Sequence, residues 1–214
     1  MKRLALALAL AALCAGPALA QEVVEPDETI QLFNGKNLDN WKLFIPDENA
    51  DVTKTWQVKD GLVCCTGEPA GYMRTKKKYT GYVLRVEWRW PEGGGNNGVL
   101  LHIQDKDEVW PKSIEAQLQS GHAGDFWVIG GTDFNEHTDP TNRRVPKQHQ
   151  STENKIGEWN EYKIVCEADS IRVYVNGILQ NTATGCTVTE GYIGLQSEGT
   201  PIEFRKVTVE PVKK

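Results

Sequence analysis

The first candidate for chemistry is a strand-like stretch in which a carboxylate and two amides alternate with apolar residues. In SIEAQLQ, residues 113–119, an extended chain places Glu115, Gln117 and Gln119 on one face and apolar side chains on the other. A carboxylate can act as a general base, and amides can orient the hydroxyl groups of a polar, neutral ligand. This face is predicted to form the floor of a site. The alternative is a sheet face that simply contacts water.

Two histidines are alternative bases. His102 lies in NNGVLLHIQ, where the alternation of the stretch assigns it to the polar face. His122 follows the Glu115 stretch, in the turn SGHAGD. An imidazole titrates near neutral pH and could accept a proton, but each histidine could equally be a structural hydrogen-bonding group.

Three further stretches show polar alternation, and together with the Glu115 stretch they predict one polar sheet surface. They are YVLRVEWRW, NNGVLLHIQ and GYIGLQSEG. The substrate-binding candidates are Gln117, Gln119, Arg89, Asn96, Trp127, Gln196, Arg143 and Lys147. Amides would bond sugar hydroxyls, and the indole ring would pack on the C–H face of a sugar.

The elements that would hold these residues are strands. Short alternating stretches recur along the chain and are separated by hairpin signals such as KDG at 59–61 and NG at 176–177. Helical periodicity is not sustained after residue 20. The pattern predicts an all-β sandwich or barrel. Residues 131–160 are an exception: they form a polar, turn-rich stretch whose basic residues we expect to reach over a neighbouring sheet.

Composition restricts the partners. The chain has 24 basic and 29 acidic residues and a net charge of −5, which argues against a nucleic-acid partner. No stretch after residue 20 resembles a transmembrane run. We expect one soluble domain over residues 21–214.

The first twenty residues are predicted to be a signal peptide. They contain a basic start, an apolar run too short for a confident membrane span, and an A-x-A cleavage signal that places the cut before Gln21. This predicts export to the periplasm or the exterior. Cys14 raises a lipoprotein alternative, which is disfavoured because Leu13 is not a small residue.

The four cysteines after residue 20 fit an exported chain and favour a structural disulfide over a metal site. Cys64 and Cys65 are strand neighbours that should face opposite sides. A Cys166–Cys186 bridge is one pairing, and a mixed pairing with either of the other two is another. No CxxC motif or Cys/His cluster indicates zinc.

No cofactor is required by any motif, but the sequence leaves a divalent metal such as calcium open. Asp105, Asp107 and Glu108 lie close together, as do Asp133 and Asp139. Neither group has the spacing of a known calcium loop, which favours solvated acidic turns.

An ordered series of blocks from Leu32 to about Pro211 resembles the 3-keto-disaccharide hydrolase family. The blocks are LFNGKNLDNW, RTKKKYTGYVLRVEWRW, GGNNGVLL, SIEAQLQSGHAGDFW, EWNEYKIVCEADSIRVYVNG and GYIGLQSEGTPIEFRKVTVEP. That family is similar to concanavalin A-like lectins and glucanases. The resemblance therefore implies a jelly-roll β-sandwich of two curved antiparallel sheets, with a cleft on the concave face.

The resemblance also implies a 3-keto-glycoside substrate. A ketone at C3 acidifies the C2 proton, so one base could form an enolate and expel the C1 group, and water could add afterwards. Retaining glucanases instead use two carboxyl groups roughly 5–5.5 Å apart. Glu115-x-Gln117-x-Gln119 keeps one acid, which favours Glu115 as a single base with Gln117 orienting the substrate. Hydrolase and lyase both remain open.

Two other functions fit the same scaffold. One is a non-catalytic carbohydrate-binding domain, and the other is a surface or matrix interaction protein. A binding domain would not consume a 3-keto-glucoside at any pH, whereas an enzyme would.

Overall fold

The computed structural model describes residues 22–104 and 106–213. The predicted signal peptide, with Cys14 and the cut before Gln21, lies outside the described residues, as does Asp105. Among the described residues, no helix has the length and apolar character needed to cross a membrane.

The chain is almost entirely β-structure. In chain order the elements are β1 (Val23–Val24), β2 (Ile30–Gln31), β3 (Trp41–Phe44), α1 (Val52–Thr55), β4 (Trp56–Lys59), β5 (Leu62–Cys65), β6 (Gly71–Thr75), β7 (Lys78–Tyr79), β8 (Tyr82–Arg89), β9 (Gly98–Ile103), β10 (Ser113–Gln117), β11 (Phe126–Ile129), β12 (Arg144–Val145), β13 (Asn160–Glu167), β14 (Ser170–Val175), β15 (Ile178–Ala183), β16 (Tyr192–Ser197) and β17 (Ile202–Pro211).

Two antiparallel sheets form the sandwich. The front sheet has the order β12-β11-β10-β9-β16-β6-β3, and the back sheet has the order β15-β14-β13-β8-β17-β5-β4, with β2 paired to β17. A short parallel pair, β1 with β7, lies apart from both. This confirms the predicted all-β, jelly-roll, concanavalin A-like fold.

The core lies between the sheets because the facing side of each strand is apolar. Trp88 on β8 packs against Tyr162 on β13, with ring centroids 5.1 Å apart, and Phe126 on β11 faces the same cluster from the front sheet. Burying such rings removes a large apolar area from water, which is the main stabilising contribution in a sandwich. The opposite side of the front sheet is left free to carry other chemistry.

The expected position of His102 on the polar face is wrong. His102 has a φ of +56°, and the pairing of β9 with β16 shifts register at this point. The resulting bulge turns the imidazole into the interior, where it meets the edge of Tyr82 and its Nδ1 lies 3.1 Å from the Val188 carbonyl oxygen. Burial lowers the pKa of His102 to about 4. The ring is therefore neutral and enclosed, away from the outer face.

The prediction that Arg89 lies on the polar face of the site is also wrong. Its strand, β8, belongs to the back sheet, whereas the other three polar stretches form β9, β10 and β16 of the front sheet. Arg89 pairs with Glu203 at 2.6 Å on the outer side of the back sheet. The neighbouring Arg85 likewise binds Glu161 and Glu210. Four strands were expected to share one polar surface, and three of them do.

The expected disulfide is not formed. Cys64, Cys65, Cys166 and Cys186 are all free thiols. Cys64 and Cys65 face opposite sides of β5, as expected, since Cys64 points toward Glu203 and Cys65 toward the Gln196 carbonyl. Cys166 lies in the core beside the Tyr82 hydroxyl, and burial raises the pKa of both Cys166 and Cys186 to about 12. Each of these two buried sulfurs is held as a neutral thiol.

One buried hydroxyl joins the sheets under the polar face. Tyr162 donates a hydrogen bond to the Gln117 carbonyl oxygen at 2.6 Å and accepts one from the Gly124 N–H at 2.6 Å. Replacement by phenylalanine, Tyr162→Phe, should lower the free energy of unfolding by about 1–3 kcal/mol, because two buried hydrogen bonds are lost and only the 3.1 Å bond between the Gly124 N–H and the Gln117 carbonyl oxygen remains. Urea denaturation would measure this.

The matched control is Tyr79→Phe. Tyr79 is buried, but its hydroxyl makes no comparable hydrogen bond within the described chain, so its removal should change stability by less than about 0.5 kcal/mol. Equal effects of the two substitutions would contradict the assignment of the Tyr162 bonds as a link between sheets.

Candidate active site

A pocket opens on the outer face of the front sheet, directly over Glu115. Its cavity volume is about 140 Å³, and it is open to solvent on one side. Its lining residues are Asn96, Trp110, Glu115, Gln117, Trp127, Ile129, Arg143 and Glu198. We call this the Glu115 pocket.

Strand register explains why these side chains meet. Glu115 on β10 lies directly opposite Trp127 on β11 and Leu100 on β9. Paired residues in an antiparallel sheet point to the same face, so the carboxyl group and the indole ring stand side by side. Gln117, two residues further along β10, lies opposite Gly98 on β9. The alternation read from the sequence therefore holds along the whole of β10.

Gly98 supplies the space that Glu115 occupies. A Cβ atom at position 98 would overlap the Glu115 carboxyl group and crowd Gln196 Oε1, 2.5 Å away. A glycine inside a strand often marks such a close approach. Sequence reasoning missed Gly98, although its position in the apolar run GVLL could have indicated it.

The Glu115 carboxyl group is buried and incompletely bonded. The residue is 5% exposed, and Oε1 has no hydrogen-bond partner among the described residues. Burial and, to a smaller extent, the charge of the nearby Glu198 raise the pKa of Glu115 to about 8, and Arg143 and the Gln196 amide limit the rise. Glu115 can therefore hold or release a proton near neutral pH, which an ordinary carboxyl group cannot do.

Glu198 gives the pocket a second carboxyl group. It follows the end of β16, beside the bridge between Asn96 and Gly199. Burial raises the pKa of Glu198 to about 7. The sequence-based expectation of a single acid is therefore wrong, because the run 115–119 shows only the acids of one strand. The shared alternation of Gln196 and Glu198 was the available signal.

Amides surround the carboxyl groups. Gln117 Oε1 accepts hydrogen bonds from the backbone N–H groups of Leu118 and Gln119, both at 2.9 Å, so its amide nitrogen is left to face a ligand. Asn96 Oδ1 and both amide atoms of Gln196 are buried without a hydrogen-bond partner in the described structure. Buried polar atoms are normally bonded, so these atoms are available for the groups of a bound molecule.

Two indole rings and one guanidinium complete the pocket. Trp110 is 42% exposed, and the Arg143 guanidinium carbon lies 5.6 Å from the Trp127 ring centroid. Arg143 belongs to the long polar segment 131–160, which β12 attaches to the edge of the front sheet through the pairing of Arg144 with Trp127. One cation of this segment does reach the neighbouring sheet, as expected.

Three other predicted site residues lie outside the pocket. β10 ends at Gln117, and Gln119 is exposed beyond it. His122 Nδ1 lies 2.8 Å from an Arg144 amino nitrogen, in a separate surface depression. Lys147 lines the same depression and donates to the Gly121 carbonyl oxygen at 2.5 Å. The prediction that these three residues belong to the site is therefore wrong, because the chain turns away from the Glu115 pocket after β10.

The acidic groups considered for calcium are engaged elsewhere. Asp107 binds Arg74 at 2.7 Å and Lys42 at 2.6 Å, which lowers its pKa to about 2 despite partial burial. Asp133 binds His137, and Asp139 binds Thr141. Within residues 22–104 and 106–213, no group of three metal-ligating acidic, histidine or cysteine side chains occurs. The Asp107 bonds instead anchor the segment that carries Trp110.

Comparison with known proteins gives one family and one curated relative. The family described as 3-keto-alpha-glucoside-1,2-lyase-like domain matches residues 28–210. A protein of Bacteroides thetaiotaomicron named 3-keto-disaccharide hydrolase is 25% identical over 162 residues, which are 66% of this chain and 53% of that protein. The chain thus spans about half the length of this relative. The resemblance seen in the sequence blocks is confirmed.

Solved structures share the fold at low identity. A candidate glycosyl hydrolase from Parabacteroides distasonis has a TM-score of 0.65 and 20% identity, covering 87% of this chain and 94% of that chain. The Bacillus licheniformis β-glucanase has a TM-score of 0.55 and 15% identity, covering 87% of this chain and 99% of that chain. The carbohydrate-binding module CBM66 of Bacillus subtilis has a TM-score of 0.58 and 14% identity, covering 80% of this chain and 95% of that chain. These likenesses establish the fold alone.

The role of Gly98 can be tested by adding one methyl group. Gly98→Ala should displace the side chains of Glu115 and Gln196, and the overpacking should lower the free energy of unfolding by about 1–3 kcal/mol. Gly93→Ala is the control, since a Cβ there meets no atom within 4 Å, and its effect should stay within about 0.5 kcal/mol. Urea denaturation compares them. An unchanged stability in Gly98→Ala would contradict the close approach described here.

Proposed function

Because the chain belongs to the family of 3-keto-alpha-glucoside-1,2-lyase-like domains, we propose that it cleaves glycosides whose sugar is already oxidised to a ketone at C3. The observation that carries the proposal is the buried Glu115 carboxyl group, which has a free oxygen and a raised pKa and faces a pocket of amides and indole rings. The name of the Bacteroides relative supports the same substrate class.

Glu115 is the base in this proposal. Its carboxylate removes the C2 proton, which the adjacent C3 ketone has acidified, and the bonding electrons form an enolate. The enolate then expels the C1 substituent, which leaves an unsaturated ketone. Addition of water at C1 and return of a proton to C2 give net hydrolysis. A carboxylate with a pKa near 8 is a stronger base than an ordinary one, which suits removal of a carbon-bound proton.

Hydrogen-bond donors in the pocket support the enolate. The Arg143 guanidinium and the Gln117 amide nitrogen are the candidates to bind the developing negative oxygen. Fixed donors in a partly dry pocket stabilise such charge more strongly than water does, because they need no reorganisation. Trp110 and Trp127 supply flat surfaces for the C–H faces of the sugar.

A carbohydrate-binding module is the second candidate, and the likeness to CBM66 favours it. Binding alone, however, gives no reason to bury a carboxyl group with one oxygen unbonded, since such burial is costly. The catalytic proposal uses that group and is therefore preferred.

Hydrogen exchange at C2 separates the two candidates. In heavy water, the protein should cleave a 3-keto-glucoside and also place deuterium at C2. Glu115→Gln should lose both exchange and cleavage by about 10²–10⁴-fold, because the amide cannot accept the proton. Proton NMR of the substrate and products measures both processes.

Glu92→Gln is the matched control for this experiment. Glu92 is exposed on a turn outside the Glu115 pocket, so both rates should stay at the level of the unmodified protein. Cleavage without exchange would favour direct displacement at C1. Binding with neither process would favour the carbohydrate-binding module.

A further inference from the structure

Glu198 lies between two hollows on the protein surface. It lines the Glu115 pocket, and it also lines a broader neighbouring hollow formed with Gly67, Glu68, Pro69, Ala70 and Gly199. We call the second one the outer hollow. Because Glu198 lines both, its side chain lies next to any bond that would join a sugar in the Glu115 pocket to a group in the outer hollow.

The backbone on both sides of Glu198 is held in place. Ser197, just before it, donates from Oγ to the Pro69 carbonyl oxygen at 2.9 Å. Gly199, just after it, donates from its N–H to the Gly67 carbonyl oxygen at 2.6 Å. Glu198 is thus fixed against the segment 67–70 that forms the outer hollow. This anchoring sets the direction from which its carboxyl group can reach a ligand.

The Glu198 carboxyl group has no structural task in the described chain. It makes no hydrogen bond or ion pair there, and it is half-buried beside Glu115. Burial raises its pKa to about 7, so it can hold a proton near neutral pH. Two neighbouring carboxyl groups disfavour double ionisation, which makes the singly protonated pair a major form in this pH range. The proton of this pair lies mainly on Glu115, whose pKa is the higher, and its transfer to Glu198 gives the minor form that has an ionised base and a protonated acid.

The reaction under Proposed function leaves one proton unassigned, and this inference rests on that function. Expelling the C1 substituent creates a negative oxygen on the leaving group. An alcohol is a poor leaving group unless that oxygen is protonated as the bond breaks. Glu115 cannot supply this proton at the same moment, because it is taking the proton from C2.

We propose that Glu198 is the general acid of the reaction and that the outer hollow holds the leaving group. The C1–O bond breaks, its electrons move to the departing oxygen, and that oxygen takes the Glu198 proton, while Glu115 keeps the proton from C2. In the hydration step, the Glu198 carboxylate takes a proton from water as the water oxygen bonds to C1. Glu115 then returns its proton to C2, and both carboxyl groups regain their starting states.

The lining of the outer hollow defines the class of leaving group. Pro69 and Ala70 present small apolar surfaces, and Gly67 and Gly199 leave backbone accessible. Glu68 places a carboxylate at its edge, which disfavours an anionic group. The geometry therefore fits a neutral leaving group with an apolar face.

Two substrates that differ only in their leaving group test the role of Glu198. Glu198→Gln should slow cleavage of an alkyl 3-keto-glucoside by about 10²–10⁴-fold, but slow the 4-nitrophenyl analogue by less than about 10-fold, since nitrophenolate leaves without a proton. Glu92→Gln should leave both rates unchanged. Urea denaturation confirms that each variant is folded.

Deuterium exchange gives an independent readout on the alkyl substrate. In Glu198→Gln the enolate still forms, so exchange at C2 should outrun cleavage. Exchange at neutral pH should also be at least as fast as in the unmodified protein, because loss of the Glu198 charge lowers the pKa of Glu115. Equal slowing of the alkyl and nitrophenyl substrates, or joint loss of exchange and cleavage, would overturn the assignment to the leaving group.

The outer hollow is tested by filling it. Ala70→Trp should raise the KM for the 4-nitrophenyl substrate several-fold and leave the KM for a methyl 3-keto-glucoside unchanged. Equal changes for both substrates, or no change for either, would show that the leaving group lies elsewhere. If the unmodified protein neither exchanges nor cleaves any 3-keto-glucoside, the proposed function itself fails, which is a result distinct from all of these.

Discussion

The site depends on two carboxyl groups, Glu115 and Glu198, that share one partly dry pocket with Arg143 as its basic side chain. Burial disfavours the charged form of each, and the negative charge of Glu198 further disfavours ionisation of Glu115. The pair therefore retains a proton at a pH where ordinary glutamates have lost theirs. A reaction that removes one proton and delivers another needs such a pair, with one group ionised and one protonated.

The fold is arranged to maintain this burial. Gly98 makes room for the Glu115 carboxyl group on the surface of β9, and the Tyr162 hydroxyl ties the end of β10 to the back sheet. The bulge at His102 turns an imidazole into the core. Asp107 holds the segment that carries Trp110, and β12 holds the segment that carries Arg143.

Sequence patterns reach some of these features and miss others for identifiable reasons. Alternation and turn signals are local, so they predicted the β-sandwich and the shared face of Glu115 and Gln117. Alternation fails at His102, where a bulge shifts the register, and it does not say which sheet a strand joins, so Arg89 was assigned to the wrong surface. Glu198 reaches Glu115 through pairing between distant strands, which no window around either residue contains.

The most direct test of the central claim is an NMR titration of the glutamate side-chain carboxyl carbons, assigned with Glu115→Gln and Glu198→Gln. The account predicts that Glu115 and Glu198 titrate near pH 8 and pH 7, and that removing the Glu198 carboxyl group lowers the pKa of Glu115. Independent titration of both groups near the usual value of 4.5 would contradict it, because neither could then hold a proton during catalysis at neutral pH.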